Sequence, residues 1–160
     1  MTDVEYMQVA LKCAEQAAAI GEVPVGAIAV IDGKIVAESF NLMEQEKTAL
    51  AHAEILVIKE LNRIVGDWRL DMATIYVTKE PCPMCAGAMV NSHLKRLVFG
   101  MSDSRSGACG SSKINIADNP DMLWQIEVTG GVLESECAAV FKNFFKKIRI
   151  EKQKKGKIDE

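Results

Sequence analysis

The segment EPCPMC, Glu80 to Cys85, sets two thiols three residues apart. That spacing suits a redox pair, a structural clip or a metal site. The strand-like run ATIYVTKE ends just before it, and Pro81 and Pro83 flank Cys82. Proline favours the first turn of a helix, so Cys82 and Cys85 are expected at a helix start, where i and i+3 share one face. Free backbone N–H groups and the positive end of the helix dipole stabilise thiolates there. Metal binding and redox chemistry are served equally.

A third donor separates them. The chain has two histidines, His52 and His93. His52 opens the helical pattern AHAEILVIKELNRI, two residues before Glu54. In a continuous helix, positions i and i+2 point about 200° apart, so both reach one site only where the first turn begins. One imidazole and two thiolates make three ligands for tetrahedral zinc, leaving a fourth position to water. Two thiolates cancel the charge of the dication. Glu54, not needed as a ligand, is free to carry protons. A closed site needs a fourth donor, and His93 is a poor one, expected near the end of the helix after Cys85 and facing solvent. The open zinc site ranks above the closed one.

The elements that must position these groups follow from periodicity. Val4, Met7, Leu11, Ala14 and Ala18 repeat at helical spacing, predicting a helix over residues 3–20. VGAIAVIDGKIVAESF is two apolar runs around Asp32-Gly33, a two-residue hairpin turn. ATIYVTKE reads as a buried strand, CPMCAGAMVNSHL as a short helix and RLVFGM as the next strand. Strand, helix and strand in quick succession imply a right-handed parallel crossover. A Gly- and Ser-rich loop over 102–120 leads to the strand QIEVTG and a last helix from Glu134. On that helix Val140, Phe141, Phe144, Phe145 and Ile148 are expected to form a core stripe, with Lys142, Lys146, Lys147 and Arg149 outside it. The sum is about five strands with helices on both faces, a three-layer α/β/α sandwich.

The bulk numbers bound the rest. A chain of 160 residues, 49% apolar and 26% charged, suits one soluble globular domain. Nothing divides it, so residues 1–160 are expected to form a single domain with 151–160 as a basic, frayed tail. The opening MTDVEYMQVA lacks the regions of a signal peptide. No apolar run approaches a bilayer span, so a cytoplasmic protein with no membrane partner is expected. The five cysteines have no disulfide-framework spacing, and Cys13, Cys109 and Cys137 read as packed free thiols. Net charge is −3, too acidic for a generic nucleic-acid binder. Yet residues 140–160 carry eight Lys or Arg against three acids, while residues 1–139 hold a net −8. That asymmetry permits a polyanion contact at one end, and equally an ordinary solvated basic helix.

HAE at 52–54 followed by PCPMC about thirty residues later is the H-x-E and P-C-x-x-C pairing of zinc-dependent base deaminases. The likeness continues through GEVPVGAI (21–28), YVTKEPCPMCAGAM (76–89), RLVFGMSD (96–103), GACGS (107–111) and GVLESECAAVFKNFFKKIR (131–149). The chain therefore resembles the zinc-dependent cytidine deaminase superfamily, and most closely the bacterial tRNA-specific adenosine deaminases.

That resemblance implies zinc on His52, Cys82 and Cys85, with Glu54 moving protons between water, ring nitrogen and departing amine. It implies that Asn41, the backbone of Ala53 and the side chains of Pro24 and Val25 contact a flipped adenine, and that Asp103 touches the flanking ribose. It implies the wobble adenosine of a tRNA anticodon stem-loop as substrate, with Lys146, Lys147 and Arg149 along its phosphates, and a homodimer. From the residues alone, Asn41 also reads as a strand-ending turn and Asp103 as a loop cap. Departures from the family pattern bear on substrate: Ala49-Leu50 for Pro-Thr, His93 for Arg, Ser102 before Asp103, and DMLWQIEV where an Asn-His pair is often found. A small-molecule deaminase acting on guanine, cytosine or a related free nucleobase is the alternative on the same fold.

Overall fold

The computed structural model of the chain describes residues 1–158. Its elements are α1 (Asp3–Ala19), β1 (Gly26–Ile31), β2 (Lys34–Phe40), α2 (Met43–Glu46), α3 (Ala53–Val65), β3 (Ala73–Lys79), α4 (Pro83–Asn91), β4 (Arg96–Met101), β5 (Glu127–Thr129) and α5 (Glu134–Ile158). The sheet order is β2-β1-β3-β4-β5. β1 runs antiparallel to β2 and β3, while β3, β4 and β5 run parallel. Alternation along each strand feeds two cores. Ala27, Ala29, Ile75, Val77, Leu97 and Phe99 face Val57, Leu61 and Met89 of α3 and α4. Ile28, Val30, Tyr76 and Val98 face Met7 and Ala10 of α1 and Cys137 of α5. The sandwich is as expected from the periodicity.

Local chemistry sets the connections. Thr2 and Glu5 form a reciprocal capping box that starts α1. Asp32 and Gly33 both take positive φ, 50° and 75°, the backbone that a tight two-residue hairpin requires. At Gly26 the backbone of α1 comes so close that a Cβ would strike the Ala10 carbonyl and the Ala14 amide. Arg96 on β4 clamps the Asp3 carboxylate at 2.8 and 2.9 Å, tying the start of α1 to the sheet.

Three features differ from the sequence reading. The short helix α2 is new, and the buried Glu22 explains it: its carboxylate accepts from the Gln45 amide at 2.8 Å and the Glu44 amide at 3.2 Å. On α5 the expected core stripe is not in the core. Among the described residues Cys137 is the one buried position of that helix; Val140, Phe141, Phe144 and Ile148 are half-buried, and Phe145 is 38% exposed. A 25-residue helix is about 37 Å long and outruns the sheet, since β4 has six residues and β5 three. The rings pack on one another instead, Phe145 lying 5.0 Å from Phe141 and 5.3 Å from Phe144. Residues 151–158 continue α5 as helix rather than fraying, while 159–160 lie outside the described residues.

Candidate metal centre and active site

β3 delivers its carboxyl end directly to EPCPMC, and α4 begins at Pro83 with Cys82 as its N-cap. α3 begins at Ala53 with His52 as its N-cap. The two helix starts meet beyond the carboxyl ends of the strands, where α/β sheets place their sites. Nδ1 of His52 lies 3.6 Å from Cys82 Sγ and 3.4 Å from Cys85 Sγ, with all donor atoms within 4.8 Å of one another. Bonds of ~2.0–2.3 Å to a tetrahedral ion put neighbouring donors about 3.5 Å apart, so this triangle fits a divalent metal. Among the described residues no fourth His, Cys, Asp or Glu donor joins the cluster.

The charges are arranged for that role. The Cys82 thiol is pulled down to about 4, first by the hydrogen bond from Cys85 and then, against burial, by His52. Cys85 is pushed up by the same hydrogen bond and by burial, and His52 is raised chiefly by its hydrogen bond with Cys82. The other thiols are buried and inert: Cys13 is raised to about 11, Cys137 to about 12, and Cys109 is also pushed up, all three primarily by desolvation. In metal-stripped protein at about pH 6, iodoacetamide is therefore expected to label Cys82 and spare these three, and added metal is expected to protect it. Peptide mass mapping reads the result. Uniform labelling, or an unreactive Cys82, would contradict the thiolate.

Glu54 sits in the first turn of α3, 4% exposed, close to the Cys85 thiol. Burial raises its pKa; its backbone hydrogen bond and His52 only partly offset that. A carboxyl whose proton is held more tightly by burial is the type of group that general acid–base chemistry uses. It opens onto a cleft of about 210 Å³ whose lining includes Val25, Asn41, His52, Ala53 and Cys82.

Most of the sequence-derived set thus comes together, with corrections. Val23, not Pro24, joins Val25 in the cleft wall. Successive residues of an extended segment face opposite sides, and Pro24 is buried behind. Asn41 is 5% exposed and already engaged, its amide donating to the Val23 carbonyl at 3.3 Å and its oxygen accepting from the Met43 amide at 3.3 Å. Asp103 lies in the neighbouring groove and reaches the cleft through Lys79, at 2.9 Å. Burial opposes its ionisation, but donors from Ser106, Lys79 and Arg105 hold its carboxyl well below the usual range. Lys146, Lys147 and Arg149 are exposed on α5. His93 does not simply face solvent: its ring stacks on Trp124 at 4.3 Å and meets the edge of Trp68 at 5.0 Å.

Sequence reasoning passed over Glu80, the residue just before PCPMC. It is 2% exposed and lines the cleft, and its carboxylate accepts from the amides of Asp103 at 3.1 Å, Cys109 at 3.1 Å and Ser111 at 3.3 Å, and from the Ser111 hydroxyl. It pins the 103–111 loop beside the cleft. An acidic residue at the end of a buried strand was the available signal.

The MafB19-like deaminase family model matches residues 1–149. A tRNA-specific adenosine deaminase of Bacillus subtilis is 46% identical over 151 residues, covering 94% of this chain and 93% of the relative. A solved structure from work on A-to-I editing by tRNA:A34 deaminases at the wobble position superposes with a TM-score of 0.80 at 38% identity, covering 85% of this chain and 98% of that one. A guanine deaminase from Bacillus subtilis gives a TM-score of 0.61 at 31% identity, over 64% of this chain and 66% of that one. With the site's donors and carboxyl in place and matches that span nearly its full length, the chain belongs to the MafB19-like deaminases and stands among the tRNA-specific adenosine deaminases.

Proposed function

We propose that this chain deaminates adenosine to inosine at the wobble position of a tRNA anticodon loop, using zinc held by His52, Cys82 and Cys85. The observation that carries the reading is the buried Glu54 carboxyl beside that donor triangle, at the floor of a cleft of about 210 Å³. That volume is below the ~300–1,000 Å³ of ordinary small-molecule pockets and suits a single flipped heterocycle. When bound, zinc supplies Lewis acidity and makes a water acidic near neutral pH.

The chain's own residues do the rest. Glu54 accepts the proton of the attacking water, passes one to the ring nitrogen, and protonates the amine that leaves as ammonia. The C6–N bond breaks as the C6–O bond forms, so adenosine and water give inosine and ammonia. Asn41, fixed by two hydrogen bonds, keeps one amide hydrogen and one oxygen lone pair for the base edge. The Ala53 amide, in the first turn of α3, lacks an intrahelical acceptor and adds a donor at the wall. Val23 and Val25 supply the apolar side that excludes water.

The basic face of α5, with Lys146, Lys147 and Arg149 exposed, follows tRNA phosphates, and Asp103 meets the flanking ribose. Exposed Leu123, Ile114 and Trp68 offer apolar surface to a second copy, supporting a homodimer. Free thiols suit a reducing cytoplasm. No described helix is long and apolar enough to cross a membrane. One polypeptide domain houses the whole activity.

Incubating the zinc-loaded protein with an anticodon stem-loop RNA, digesting it and separating the nucleosides is expected to show inosine at the wobble position. The likeness to a guanine deaminase favours free bases as the second reading. Ammonia released from guanine or cytosine, with no inosine in the RNA, would replace the first reading with the second.

A further inference from the structure

At the mouth of the cleft, one cation stands where two openings meet. Lys79 lines the cleft and also a wider groove of about 740 Å³ between the 101–106 segment and α5. Apart from His52, it is the basic side chain of the cleft lining. The groove adds Arg105, Lys142 and the Phe141 ring. Lys79 Nζ lies 2.9 Å from Asp103 Oδ2 and 5.4 Å from the Phe141 ring centroid. Asp103 does not depend on that pair, because it also accepts from the Arg105 amide at 2.9 Å, the Ser106 amide at 3.0 Å and the Ser106 hydroxyl at 2.5 Å. An ammonium has three donors and this ion pair occupies one. With 24% of the side chain exposed, the remaining donors are free to meet an anion entering the cleft.

We infer that Lys79 is a specificity-determining residue that binds the backbone phosphate next to the flipped adenosine, selecting a polynucleotide over a free base or nucleoside. The inference rests on the proposed RNA substrate and deepens it. A free base carries no anion for Lys79 to meet, whereas a flipped nucleotide must bring a phosphodiester past the cleft mouth. Asp103 holds the ammonium in place, and its own charge keeps the phosphate on the open side of Lys79. Beyond it, Phe141 offers a face on which the next base stacks, and Arg105 and Lys142 continue the positive track.

Lys79→Met keeps the bulk of the side chain and removes its charge. Binding of a labelled anticodon stem-loop RNA to zinc-loaded protein is followed by fluorescence anisotropy across a salt series, in a Glu54→Gln background that leaves the RNA unreacted. Lys79→Met is expected to weaken binding about tenfold at low salt and to shrink the slope of log K against log salt by roughly 0.7, one phosphate contact's worth. A methylphosphonate at the contacted phosphate weakens the Lys79 protein by the same factor and leaves the Lys79→Met protein unchanged. In the otherwise unaltered enzyme, Lys79→Met raises KM with kcat within about twofold, and Lys79→Arg recovers most of the affinity. Unchanged affinity and salt slope, or losses that add when both changes are made, would overturn the role of Lys79. RNA that the unaltered enzyme never deaminates would sink the substrate itself, a distinguishable failure.

Discussion

Glu54→Gln is expected to lower kcat on RNA by about 10⁴-fold, at the upper end for a general acid–base group because one carboxyl serves several proton transfers. Glutamine keeps the shape and the hydrogen-bonding reach but cannot accept and return a proton. Metal content should remain that of the unaltered protein, since Glu54 is outside the donor triangle. Stability should not fall either. In the metal-stripped protein, burial holds the Glu54 carboxyl above its ordinary value of 4.5. As pH rises past that value the unfolded chain releases a proton that the folded chain retains, so stability declines with rising pH through that window. Glu54→Gln removes this decline. Single-turnover kinetics, metal analysis and denaturation at several pH values together check the expectation. More than a tenth of normal turnover in Glu54→Gln would end the assignment of Glu54 as proton carrier.

Cys85→Ala should be the most damaging single change in the site. It removes a donor that is 0% exposed and deletes the hydrogen bond that holds the Cys82 thiolate. Metal content is expected to fall below about a tenth, with loss of activity at least as large as in Glu54→Gln. A metal on this triangle would also hold the starts of α3 and α4 together, since His52 belongs to one and the two cysteines to the other. A ligand at a hundred times its dissociation constant stabilises by ~2.7 kcal/mol, so loss of the metal costs about 3 kcal/mol. Adding excess zinc should restore much of that stability to chelator-treated natural protein and little to Cys85→Ala. Full metal occupancy in Cys85→Ala would show that another donor completes the site.

How much of this was legible in the chain itself varies with the range of the interaction. His52, Cys82 and Cys85 could be brought together because each lies at a helix start encoded within a few residues, by the apolar period that follows His52 and by the strand boundary and prolines around Cys82. The strands were legible because apolar, β-branched runs bounded by turn residues are a local signal, and β1, β3 and β4 are buried along nearly their whole length. Pro24 was misassigned because the faces of an extended segment are easy to count but its orientation toward a cleft is not. Val23 and Val25 face inward only once the segment is anchored between α1 and β1. The α5 stripe was read correctly as apolar and wrongly as core, because periodicity shows which side of a helix is apolar and not whether a sheet is long enough to cover it. His93 was placed toward solvent because nothing nearby announces Trp124, more than thirty residues on.

The sequence by itself pointed to the His52, Cys82 and Cys85 donor set, to the Glu54 carboxyl beside it, to the order of the five strands and the long helices, and to the kinship of the chain. Those depend on side-chain chemistry and on spacings within one or two helical turns, which survive in a one-dimensional string. Only the tertiary structure decided that Glu80 and Glu22 are buried anchors, that Lys79 joins cleft to groove through Asp103, and that most of α5 lies outside the core. Each of those is set by elements distant in the chain that meet through the sheet order β2-β1-β3-β4-β5. A carboxylate's burial and a lysine's partner depend on what packs around them, and that packing is a property of the assembled layers.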